Sequence, residues 1–141
     1  WGEEEKYLKE IGIGECAGVV IDLIATLFLE SDEKIENANE AFGNGVYSGA
    51  IYYAYQSIVN SAKASLLAAE KKTNTHASII SQFDEEFISS GKIDLGTSFA
   101  DLIYQINKFA PTAEFAEKYI KDAGRFLQKV RAYRETETSV A

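Results

Sequence analysis

A chain of 141 residues, 46% apolar and with a net charge of −8, can fill one core and is too short for two ordinary domains. The acidic balance disfavours non-specific nucleic-acid binding, because phosphate contacts need a basic footprint. A single cysteine, Cys16, excludes an internal disulfide and any cysteine-based zinc or iron–sulfur site within one copy.

The charge is unevenly spread. Residues 1–45 hold a net of −8, residues 46–117 a net of −3 and residues 118–141 a net of +3. The longest apolar run, Ala17 to Leu29, is broken by Asp22 and is too short to cross a bilayer. It follows an acidic flank (Glu3, Glu4, Glu5), the opposite of a signal peptide's basic start. We therefore read no membrane segment and expect a cytoplasmic protein. The chain begins at Trp1 and contains no methionine, which predicts a piece excised or processed from a larger protein.

Residues 1–15 read as a linker, charged first and then Ile11-Gly12-Ile13-Gly14. A first helix is predicted over about 16–42, with Ile24, Phe28, Ile35, Ala38 and Phe42 on one face and a weak point at Ser31-Asp32. Gly43-Asn44-Gly45 is a helix stop and turn. The second helix, about 46–70, carries Val46, Ala50, Tyr53, Ala54, Ser57, Ile58, Ser61, Ala62, Ser65, Leu66 and Ala69 at steps of three and four. That face is made mainly of small residues, so a partner helix can lie unusually close. Lys71 and Lys72 suit the negative end of this helix.

Thr73 and Thr75 are N-cap candidates for a third helix that buries Ile79, Ile80, Phe83, Phe87 and Ile88 and stops at Gly91. A short fourth helix over about 98–109 carries Phe99, Leu102, Ile103 and Ile106. Pro111-Thr112 opens the fifth, whose seam is Phe115, Tyr119, Ala123, Phe126, Val130 and Tyr133. Residues 16–135 thus form one all-α, antiparallel, up-and-down bundle of about five helices, with 136–141 a frayed tail. No segment alternates with period two, so no sheet is expected.

The lone histidine, His76, limits the chemistry. A di-iron bundle site needs Glu-x-x-His on two helices, and Thr73 stands three residues before His76. Cys16 and Ser57 would both need His76 to act as nucleophiles, and nothing local supports either. The plainer role is a histidine that caps or packs at the start of its helix. Gly12-x-Gly14-x-x-Ala17-Gly18 has the look of a dinucleotide turn, but no strand precedes it and no beta-alpha-beta unit follows. Lys118, Lys121, Arg125 and Lys129 form a basic stripe, either a solvated face or a docking strip for an anion or acidic partner. Tyr52 and Tyr55 are better suited to a dimer or ligand surface than Tyr53, which lies on the small-residue face.

With these residues in view, the stretch from about Glu36 to Tyr133 resembles the HEPN domain, a helical family named for nucleotide binding in higher eukaryotes and prokaryotes. The resemblance rests on Ala38 to Gly45 with Tyr47, Ile51-Tyr52-Tyr53-Ala54-Tyr55, and Ala62 to Ala69. It continues through Thr75-His76, Phe83, the Phe87 to Lys92 segment, and Tyr119 to Leu127. It implies a helical bundle that often dimerises and serves as a ribonuclease, a partner of nucleotidyltransferases or a non-catalytic binding module. The ribonuclease branch carries arginine four to six residues before histidine. Here Arg125, Arg131 and Arg134 all follow His76, so that motif is not formed.

Residues 11–22 also resemble the join to a HEPN-like tail found after some bacterial sulfite or nitrite reductases. In that context siroheme and an iron–sulfur cluster would belong to the parent chain, and this chain would hold no cofactor. The expected function is a non-catalytic HEPN-like accessory module of a larger protein, used for dimerisation, partner docking or binding of a nucleotide or small anion. The alternative is a ribonuclease or nucleotidyltransferase partner of a toxin–antitoxin kind. The ligand-binding residues expected are Tyr52, Tyr55, Lys71, Lys72 and His76, with Lys121 and Arg125 as a second basic group. No catalytic or metal-ligating residue is assigned, and neither DNA nor a membrane is expected as a partner.

Overall fold

A computed structural model describes residues 13–140 except Asn74. They form five α-helices: α1 (Ile13–Gly43), α2 (Tyr47–Ala68), α3 (His76–Phe83), α4 (Phe99–Tyr104) and α5 (Ala113–Val140). A π turn (Asp84–Ile88) continues α3, and a 3-10 turn (Gln105–Asn107) ends α4. No strand occurs among the described residues. The chain is an all-α bundle, as its periodicity predicts. The linker assigned to 1–15 lies outside the described residues up to position 12, and from Ile13 the backbone is already helical. Gly14 and Gly18 therefore belong to a helix and form no phosphate-cradling turn. At the other end, α5 extends to Val140.

α1 and α2 pack as a close antiparallel pair. Gly45 closes the turn between them at φ +76°, a conformation that costs glycine little and other residues more. Its N–H bonds the Phe42 carbonyl at 3.0 Å, and the Val46 N–H bonds Ala41 at 2.9 Å, satisfying the last carbonyls of α1. Beyond the turn, Phe42 meets Tyr47 at 5.5 Å between ring centroids, and Lys34 lies 5.5 Å from the Tyr53 ring centroid. Further along, the Ser57 hydroxyl donates to the Ser31 carbonyl at 2.9 Å.

The small face of α2 is the contact surface: Ala50, Ala54, Ser57, Ile58, Ser61, Ala62, Ser65 and Leu66 are all buried. Its serines cost little to bury because each hydroxyl donates to a backbone carbonyl, Ser61 to Ser57 at 2.8 Å and Ser65 to Ser61 at 2.9 Å. Val46, counted with this face on periodicity, precedes the helix and is 52% exposed. Ser31-Asp32 is no weak point either. The buried Ser31 hydroxyl donates to Leu27, and Asp32 takes both guanidinium nitrogens of Arg131 at 2.8 and 2.7 Å.

Beyond Glu70 the chain doubles back, so α3 starts beside the middle of α2 and not at its end. Glu70 adopts φ +62°, unusual for a residue with a side chain, and lets the Lys71 N–H reach the Leu66 carbonyl at 2.9 Å. The Thr75 hydroxyl then caps α3 by accepting the Ser78 N–H at 3.1 Å. α3 delivers Phe83 to the centre of an aromatic group. Its ring centroid is 4.9 Å from Phe87, 4.5 Å from Phe99 and 5.3 Å from Phe126.

α4 and α5 run antiparallel, paired through Phe99 with Phe126, Tyr119 with the Ile103 carbonyl and Lys118 with Gln105. The π turn aims the Asp84 carboxylate at the start of α4, where it accepts the Phe99 N–H at 2.7 Å and the Ala100 N–H at 3.0 Å. This anion satisfies donors that the helix itself leaves free. Asp84→Ala is expected to lower stability by about 1–3 kcal/mol, because two partly buried N–H groups lose their acceptor. Asp84→Asn should lose less, since an amide oxygen still accepts. Thermal melts of the two variants check the order.

Candidate functional site

His76 opens α3, where the Thr75 cap fixes the backbone, and its side chain is exposed. Its Nδ1 lies 2.7 Å from the Tyr55 hydroxyl, and the two rings are 5.8 Å apart at 58°. The pairing exists because the doubled-back segment carries His76 alongside a residue 21 positions earlier. Burial raises the Tyr55 pKa above its ordinary value, and the Tyr104 and Tyr52 phenols add to the effect. Tyr55 is therefore a neutral hydroxyl that can donate to Nδ1. When Nδ1 carries the imidazole proton and donates it to the Tyr55 oxygen, Nε2, the ring nitrogen Tyr55 does not hold, keeps a lone pair that can accept a proton.

Around this pair stand Tyr52, 56% exposed, and Tyr104, 44% exposed. Tyr119 lies behind, fully buried, with its hydroxyl 3.5 Å from the Ile103 carbonyl. Burial pushes its pKa far above the usual phenol range, with smaller contributions from Tyr55 and Asp122. Tyr55 and Tyr119 are thus hydrogen-bonding groups rather than anions at neutral pH.

The structure brings together only part of the expected set. Tyr55 and His76 touch, and Tyr52 is close enough to Tyr55 to influence its ionisation. Lys71 turns instead toward Glu86, 4.0 Å away, a carboxylate that Lys92 approaches more closely at 3.1 Å. Lys72 is exposed, and its carbonyl accepts the Gln82 amide at 3.4 Å.

Lys121 and Arg125 belong to a separate region on α5. Lys121 pairs with Glu117 at 3.3 Å, whereas Arg125 lines a cleft and stands 4.0 Å from Asp122. Tyr104 was missed by sequence reasoning. It falls between the core residues Ile103 and Ile106 and carries no spacing signal. The described residues contain no group of three His, Cys, Asp or Glu side chains able to hold a metal.

The arrangement offers one imidazole for proton transfer and one neutral hydroxyl to orient it. Arg131 is occupied by Asp32, and all three arginines lie on α5.

Comparison with known proteins places these features in a family. The HEPN domain profile matches residues 24–133, which include both the α1–α2 pair and the His76 edge. A protein of Methanocaldococcus jannaschii named "Putative toxin MJ0605" is 30% identical over 115 residues, covering 77% of this chain and 86% of that protein. With the profile spanning most of the bundle, this chain belongs to the HEPN domain family.

Proposed function

We propose that this chain is the HEPN member of a toxin–antitoxin-type pair, acting in the cytoplasm, and that its His76–Tyr55 edge works on RNA phosphodiesters. The observation that carries this reading is an exposed imidazole held at 2.7 Å by a neutral hydroxyl in a chain akin to one named a putative toxin. RNA cleavage needs a base for the 2′-hydroxyl proton, and imidazole is the side chain suited to that task near neutral pH. Tyr55 would orient the ring, and Lys72 would offset phosphate charge. Most of the chain's acidity resides in residues 1–45, while Lys71 and Lys72 immediately precede this edge. The same relative supports a toxin–antitoxin context over an accessory tail of a siroheme-bearing reductase.

A second reading is favoured by the arginine placement. Without arginine ahead of His76, the edge lacks the fork that binds phosphate in two places, and lysine does not replace it. On this reading the domain does not cut and serves homodimerisation, docking to a larger partner, or binding of a nucleotide or other small anion.

Induced expression of the full chain in a bacterial host separates the two. The toxin-type reading expects growth arrest that His76→Ala relieves. Unimpaired growth with normally accumulating wild-type protein would favour the non-cutting module.

A further inference from the structure

A concave surface lies between α4, α5 and the connector before α4. Its volume is about 280 Å³, and Leu95, Gln105, Lys118, Asp122, Arg125 and Lys129 are among its walls. The four charged residues recur at steps of four, three and four along α5, so they share one face. Three cations against one carboxylate leave an excess of positive charge in a protein whose net charge is −8.

The present contacts show which charges are already balanced. The Lys118 ammonium donates to Asp122 at 2.7 Å and to the Gln105 amide oxygen at 2.8 Å, so it neutralises the carboxylate. Lys129 donates to the Asp94 backbone carbonyl, a partner with no net charge. Arg125 stands 4.0 Å from Asp122, beyond hydrogen-bond reach, with its side chain 66% exposed. Among the described residues, neither Arg125 nor Lys129 has a carboxylate within hydrogen-bond distance. Asp122 is shared by Lys118 and Arg125, so the cleft keeps an excess of two positive charges. Leu95 and the edge of Leu102 supply an apolar wall beside them.

We propose that this cleft binds a phosphate monoester, with the dianionic group between Arg125 and Lys129 and a compact organic body against Leu95. A phosphate dianion matches the two uncompensated charges, and the guanidinium fork suits two of its oxygens. The cleft is at the small end of ligand sites, which favours a small molecule over a polymer. This site is independent of the His76 edge and stands whether or not that edge acts on RNA.

Isothermal titration of the full chain with phenyl phosphate and with inorganic phosphate tests the proposal. Saturable one-to-one binding is expected, tighter for phenyl phosphate because only the ester reaches the apolar wall. Arg125→Gln should weaken it by about tenfold or more, the scale of one lost charge-assisted contact. Asp122→Asn should tighten it by removing the competing carboxylate. Absence of saturable binding would overturn the proposal, as would equal affinity for the two phosphates. Binding indifferent to Arg125→Gln and Lys129→Gln, or abolished by His76→Ala, would overturn it as well. Arg125 and Lys129 are exposed, so circular dichroism should show both variants folded.

Discussion

Phe83→Ala is expected to lower the unfolding free energy by about 3–5 kcal/mol, the range for deleting a fully buried aromatic ring. Phe83 is completely buried and is the one ring in contact with Phe87, Phe99 and Phe126 together. Those partners come from the π turn, α4 and α5, so the cavity would open where three elements meet. None can close it alone, because Asp84 ties the π turn to α4 and the Phe99–Phe126 contact ties α4 to α5. A domain of this size has about 5–15 kcal/mol of stability, so the variant should be marginal at 37 °C. Urea unfolding followed by circular dichroism measures the loss. A midpoint shift worth under about 1 kcal/mol, with the slope unchanged, would mean that Phe83 is not the keystone of this cluster.

Ala54→Leu is expected to cost about 1–3 kcal/mol although leucine forms helix nearly as well as alanine. Ala54 is fully buried on the face of α2 that also buries Ala50, Ser57 and Ile58. Three added carbons would have to part α1 from α2 or force side chains off their rotamers. The strain would reach the Ser57 to Ser31 hydrogen bond, which holds only while the helices stay close. Tyr52→Leu, on the exposed side of the same helix, serves as the control and should change stability little. If Ala54→Leu and Tyr52→Leu melted alike, the close helix pair would be wrong.

The bundle was legible in the sequence because its helices bury regular stripes. Ala50, Ala54, Ile58, Ala62 and Leu66 recur at steps of four, and all are buried. Phe115, Tyr119, Ala123, Phe126 and Val130 behave in the same way on α5. Caps were legible too: Thr75 and the turn at Gly45 act as their residue types predict. The features that periodicity could not show depend on contacts between distant residues. Asp32 and Arg131 are 99 positions apart, and their ion pair turns a suspected weak point into a crossing of α1 and α5. The π turn arises where Asp84 serves a helix 15 residues ahead.

The candidate site was half legible for the same reason. His76 stood out as the chain's only histidine, and Tyr55 as a tyrosine off the packing face. Their contact needed the chain to double back after α2, beginning at Glu70 with φ +62°, where glycine would be expected. Lys71 looked like part of the same group because it is near in sequence. The turn instead aims it at Glu86. On α5, one stripe of cations divides in space: Lys118, Arg125 and Lys129 enter the cleft, while Lys121 stays outside with Glu117.

On the reading proposed above, this HEPN bundle presents His76, oriented by Tyr55, as its working group on RNA. Incubating the purified full chain with a mixed RNA substrate tests it directly, with product formation followed over time. Cleavage is expected, reduced by His76→Ala about a hundredfold or more, in line with loss of a general base, and reduced less by Tyr55→Phe. Intact RNA in the presence of folded wild-type protein would contradict it, and so would cleavage at an undiminished rate by His76→Ala.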